Sequence, residues 1–117
     1  MQNIFKKKDT KIWSDKPKRD FIFTEDAADA VLKLLETDFT GIVNVGTGTM
    51  DSTRKISNII ERLSGKKILS ENKTVNGPME LKVDITLLNK LTGWKPIYNL
   101  EEGLAKTYSI MKGYYKT

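Results

Sequence analysis

The stretch TGIVNVGTGTMDSTRKISNIIERLSG, residues 40–65, decides how the chain is read. Ile42-Val43-Asn44-Val45 is a short, nearly continuous apolar run of strand type. Such a run predicts a strand buried on both faces, with neighbours on either side. Gly46-Thr47-Gly48 then supplies a turn. Asp51 or Ser52 can cap a following helix in which Ile56, Ile59, Ile60 and Leu63 recur at i, i+3, i+4 and i+7. Gly65 stands where a left-handed residue ends a helix.

The same grammar extends outward. Thr24 is the expected N-cap of a helix running to about Glu36, with Glu25 and Asp26 in its first turn and Ala27, Ala28, Val31, Leu34 and Leu35 as its stripe. A short helix is expected after Asp84 (Ile85, Leu88, Leu91), stopping at Gly93 ahead of Pro96. A last helix starts near Asn99, where Glu102 completes an N-x-x-E box, and carries Leu104, Tyr108, Met111 and Tyr115. Strands are expected at Lys11–Trp13, Phe21–Phe23, Ile42–Val45, Lys67–Leu69 and Leu81–Val83, with a polar loop at Ser70–Pro78. Alternation of this kind argues for α/β layering: one small, α+β-like domain over residues 1–117, with about four helices and short strands.

The 117 residues contain no cysteine and no histidine. Disulfides, thiol nucleophiles, imidazole acid/base chemistry and zinc sites are therefore excluded, and no metal site is expected. No apolar run is long enough for a membrane span, and a lysine-rich start without an apolar stretch predicts no export signal, hence a cytoplasmic setting. The net charge is +5. Residues 1–20 hold Lys6, Lys7, Lys8, Lys11, Lys16, Lys18 and Arg19 against Asp9, Asp15 and Asp20, a local excess of +4. Beside Trp13 this end suggests nucleic acid, but no arginine-rich or RNP-like pattern accompanies it. A solvated lysine face is the preferred reading.

Three motifs bear on chemistry. Gly46-Thr47-Gly48 sits where a dinucleotide-binding turn would, but the third glycine is missing and Asp51 would oppose a pyrophosphate, so a plain strand-to-helix turn is preferred. Tyr108 and Lys112 read Y-x-x-x-K, the spacing of a tyrosine–lysine acid/base pair, yet Tyr108 also lies on the apolar stripe of the last helix. Arg19 stands at the mouth of a strand entering the core. A rigidly mounted arginine suits a diphosphate, the alternative being a surface arginine paired with Asp20 or Asp26.

Taken together, RDFIFTEDAADAVLKLL (19–35), TGIVNVGTG (40–48) with its capped helix, VDITLLNKLTGWKP (83–96) and LEEGLAKTY (100–108) resemble, in order and spacing, the C-terminal part of the extended short-chain dehydrogenase/reductases, the NAD-dependent nucleotide-sugar epimerases and dehydratases. The resemblance runs from about Lys11 to Tyr108 and corresponds to roughly the last third of a complete member. It implies a substrate-binding portion without catalytic residues. The glycine-rich NAD turn and the catalytic Ser/Thr, Tyr and Lys belong to an upstream Rossmann portion, so NAD serves the complete enzyme and none is bound by this chain alone.

By position, Arg19 matches the family arginine on the substrate diphosphate, and Asn44 an asparagine whose amide meets the sugar nucleotide, the alternative being an inward structural amide. The loop Val75–Glu80 lacks the second arginine of many members, leaving Lys73 or Lys82 as weak substitutes. The implied ligand is a nucleotide-diphosphate sugar. The implied partner is the N-terminal Rossmann portion, a companion polypeptide or a second copy completing the sheet beside residues 42–45. A non-catalytic interaction module is the alternative.

Overall fold

A computed structural model of the chain describes residues 1–6 and 9–115. Lys7 and Lys8 of the basic N-terminal run lie outside the described residues. The elements in order are α1 (Gln2–Lys6), β1 (Thr10–Ile12), β2 (Lys18–Arg19), α2 (Thr24–Leu35), β3 (Asp51–Ser52), α3 (Thr53–Ser64), β4 (Ile68–Ser70), β5 (Glu80–Leu81), α4 (Thr86–Thr92) and α5 (Leu100–Tyr115). The architecture is mixed α/β, as expected, with one helix more than the sequence reading gives.

That extra helix, α1, puts Ile4 into a core with Ile60 and Ile68. Phe5 stacks on Tyr108 and Tyr115 of α5, with ring centroids 5.2 and 5.3 Å away. At five residues α1 is too short to hold its shape unaided, and these contacts supply what its local sequence does not.

Two small sheets tie the helices together. β1 and β4 pair in parallel, Thr10 opposite Ile68. β2 is central in the second sheet, antiparallel to β3 (Arg19 opposite Asp51) and parallel to β5 (Arg19 opposite Leu81). A second core gathers Ala30 of α2, Leu88 of α4 and Trp94, with Ile22, Leu34, Val43, Val45 and Ile85 packed around it.

Several boundaries differ from the expectation. Phe21–Phe23 is not a strand: pairing stops at Arg19, and residues 21–23 lead straight into α2. Phe23, not Thr24, holds the N-cap position, and no side chain caps α2 there. The carboxylates of its first turn complement the open amides instead. The α3 cap is as read: Ser52 Oγ accepts from the Lys55 amide, and Gly65 closes the helix at φ 69°. Asn99 and Glu102 form the expected reciprocal pair at α5, the Glu102 amide donating to Asn99 Oδ1 at 2.8 Å.

The largest correction concerns Ile42–Val45. Among the described residues this segment pairs with no strand. Val43 and Val45 pack on the second core, but Asn44 is exposed and Ile42 is 90% exposed. A run that is apolar on both faces needs a packed layer against each, and here the face of Val43 and Val45 is covered while that of Ile42 and Asn44 is open. Further apolar side chains are exposed on and just after α2: Val31, Leu32 (61%), Leu35 (76%) and Phe39.

The molecule is accordingly a slab, 49 × 36 × 18 Å. Its radius of gyration, 16.3 Å, exceeds the ~13 Å of a closed domain of this length. Among the described residues no helix is long and apolar enough to cross a membrane.

Candidate functional site

At the end of β2 two neighbouring side chains, Arg19 and Asp20, are positioned differently. Arg19 is half-buried, and its Nη1 donates to the Lys18 carbonyl at 2.8 Å and the Met79 carbonyl at 3.4 Å. A guanidinium carries five N–H donors, so most of its capacity is left over. Among the described residues no carboxylate lies within ion-pair distance of Arg19, although Asp20 adjoins it and Asp51 faces it across the strand pair. Each nearby carboxylate is engaged elsewhere.

Asp51 pairs with Lys55 at 2.7 Å. Asp26 is buried at the start of α2, and its oxygens accept from the Ile97 and Tyr98 amides at 3.0 Å each, locking the loop before α5 onto α2. Asp20 is inserted into the glycine turn. Its carboxylate accepts from the Thr47 amide (2.9 and 3.0 Å), the Gly48 amide (2.8 Å) and Thr47 Oγ1 (2.6 Å).

This arrangement answers whether the Gly46-Thr47-Gly48 turn fits a dinucleotide. A Cβ on Gly46 would stand 2.8 Å from Asp20 Oδ2 and 2.8 Å from Val83 Cβ. The close approach that a phosphate would need is taken by a protein carboxylate, and the amides that would bind it are already donating. The residues present do not fit NAD, and the turn acts as a joint. Sequence reasoning offered Asp20 and Asp26 only as possible partners of Arg19 and missed these roles, because their partners lie 27 or more residues away.

A cavity of about 710 Å³ opens between the β2–α2 connection and the start of α5, lined among others by Phe21, Phe23, Thr47, Asp51, Tyr98 and Leu104. Arg19 and Asn44 are not among its lining residues, nor do they line a smaller cavity of about 430 Å³ beside Gly48, Lys82 and Asn89. Arg19 stands at the margin of the first: Phe21, two residues on, and Asp51, its register partner, both line it. The structure does not bring Arg19 and Asn44 to one cavity.

The other candidates resolve separately. Tyr108 is packed against the first core and stacked on Phe5, as its place on the apolar stripe implied. Lys73 pairs with Glu71 at 2.6 Å and lies 4.3 Å over the Trp13 ring, while the Trp13 indole N–H donates to the Thr74 carbonyl. The Lys73 contact holds the Glu71 carboxyl below its ordinary range. At the cavity rim, Lys106 donates to Tyr98 Oη (2.8 Å) and Glu25 (3.2 Å), which raises the Lys106 pKa and fixes it as an ammonium. No group of three or more carboxylates that could hold a metal occurs among the described residues.

Comparison with known proteins agrees with this framework. The NAD dependent epimerase/dehydratase family matches residues 1–46. A GDP-L-fucose synthase of Sinorhizobium fredii (strain NBRC 101917 / NGR234) is 35% identical over 102 residues, covering 83% of this chain and 32% of that protein. UDP-glucuronic acid decarboxylase 5 of Arabidopsis thaliana is 32% identical over 89 residues, covering 74% and 26%.

Among solved structures, UDP-glucose 4-epimerase from Thermotoga maritima, with UDP-glucose, superposes with a TM-score of 0.86 at 20% identity over 98% of this chain and 38% of that one. UDP-glucuronic acid 4-epimerase from Bacillus cereus, in complex with UDP-glucuronic acid and NAD, gives 0.77 at 28% identity over 90% and 35%. The chain spans between about a quarter and a third of the length of the curated relatives it matches.

Proposed function

We propose, from the premise that this chain belongs to the NAD-dependent epimerase/dehydratase family of extended short-chain dehydrogenase/reductases, that it is a C-terminal, substrate-binding domain which holds the diphosphate of a nucleotide-diphosphate sugar through Arg19. The observation that carries the reading is the half-buried guanidinium of Arg19 without a carboxylate partner. A cation so placed matches a diphosphate in shape and charge. Asn44, exposed within residues 42–45, offers an amide to the rest of the ligand from outside the cavity that Arg19 borders.

Redox chemistry belongs to an N-terminal Rossmann portion, on the same chain or a companion polypeptide, which carries NAD and the catalytic groups and packs on the open face; the setting is cytoplasmic. The 117-residue chain alone transfers no hydride. Titrating it with UDP, GDP and their sugar conjugates by calorimetry tests the binding claim. The expected result is weak, saturable binding that falls about ten-fold or more in Arg19→Ala, with unchanged thermal stability. Equal binding by wild type and variant, or none by wild type, overturns it.

A second reading, a non-catalytic interaction module, is favoured by the exposed apolar side chains of α2 and residues 39–42. Capture of a companion polypeptide by this face, with no response to any nucleotide sugar, would select it.

A further inference from the structure

We infer that Asp20 is the positioning residue of the diphosphate site: it holds Arg19 rigid and unpaired by committing its own carboxylate to the Gly46-Thr47-Gly48 turn. The inference rests on the substrate reading of Arg19 above and adds to it the residue that makes Arg19 available.

β2 is only two residues long, so its own ladder bonds cannot fix the direction of its side chains firmly. Arg19 is the last residue of β2 and turns its guanidinium to the Lys18 and Met79 carbonyls, while Asp20, just past the strand, turns its carboxylate to the 46–48 turn. On the Asp20 side, three donors from two residues close on one carboxylate at 2.6–3.0 Å. Gly46 is buried against that carboxylate and Val83, so the joint has little room to rock. Through Asp20 the turn after residues 42–45 is fastened to β2, and β2 is fastened to β5, whose preceding carbonyl at Met79 receives the Arg19 guanidinium.

The same bonds keep Asp20 from neutralising Arg19. Adjacent opposite charges free to turn toward one another would pair, and a carboxylate already accepting charge-assisted bonds is not free to do so. Asp20 thus supplies rigidity at the cost of leaving a negative charge near an anion site.

That opposition gives a test whose sign decides. If Asp20 acted only as a nearby charge, Asp20→Asn would strengthen anion binding. As a positioning residue, its loss weakens binding. Using UDP and GDP with the full chain, Asp20→Asn is expected to weaken affinity about five-fold or more. Thr47→Val, which removes the hydroxyl but keeps the charge, is expected to weaken it by a smaller factor. Arg19→Ala and Asp20→Asn combined are expected to be no worse than Arg19→Ala alone.

A second readout needs no ligand. Arg19 labelling by phenylglyoxal, followed by mass spectrometry on the folded chain, is expected to accelerate in Asp20→Asn. Unchanged labelling, or tighter UDP binding in Asp20→Asn, overturns the inference. If wild-type chain does not bind UDP or GDP yet labelling accelerates, the substrate reading fails while the joint between Asp20 and Arg19 stands.

Discussion

The two glycines at positions 46 and 113 show how far one side chain's surroundings decide its tolerance. A methyl group on Gly46 would meet the Asp20 carboxylate and Val83 at 2.8 Å, whereas one on Gly113, within α5, meets nothing within 4 Å. Gly46→Ala forces β2 and the turn apart and is expected to cost about 2 kcal/mol, in the range of overpacked cores. Gly113→Ala is expected to be neutral or to stabilise by up to about 1 kcal/mol, since alanine is the better helix former. Urea unfolding of the two variants checks both. Equal effects would mean that the Asp20 joint is loose enough to yield.

At the scale of elements, the cap assignments separate two similar residues. Ser52 accepts the Lys55 amide and Thr24 caps nothing, so Ser52→Ala is expected to cost about 1 kcal/mol and Thr24→Ala to fall within about 0.5 kcal/mol of zero. Parallel thermal or urea melts decide this. The contrast marks what the sequence makes legible. α3 is readable because cap, stripe and terminator all fall within residues 52–65, and α5 because its Asn99–Glu102 cap agrees with its stripe. α1 is not, since its stability comes from Tyr108 and Tyr115 a hundred residues away. Residues 42–45 carry a true strand signal, and among the described residues no strand lies beside them to answer it. At the site, Arg19 is recognisable by residue type and motif position. That Asp20 and Asp26 do not pair with it is not legible, because both act through backbone amides in distant loops.

For the whole molecule, the accessible surface of 8014 Å² exceeds by roughly 1,500 Å² that of a compact monomer of the same mass. Part of the excess is the apolar face of Val31, Leu32, Leu35, Phe39 and Ile42. Faces of this kind drive association. Light scattering at high concentration is expected to show the isolated chain self-associated, and Leu32→Glu with Ile42→Glu to return it to a monomer without loss of helix signal. A monodisperse wild-type chain would show that the face is stable in water. The main chain of residues 42–45, without a strand partner among the described residues, also gives a reporter for whatever covers it. Its amide hydrogens should trade for deuterium within seconds in the lone chain, and an incoming strand would slow that exchange at alternate positions, giving the register of assembly from a single mass measurement.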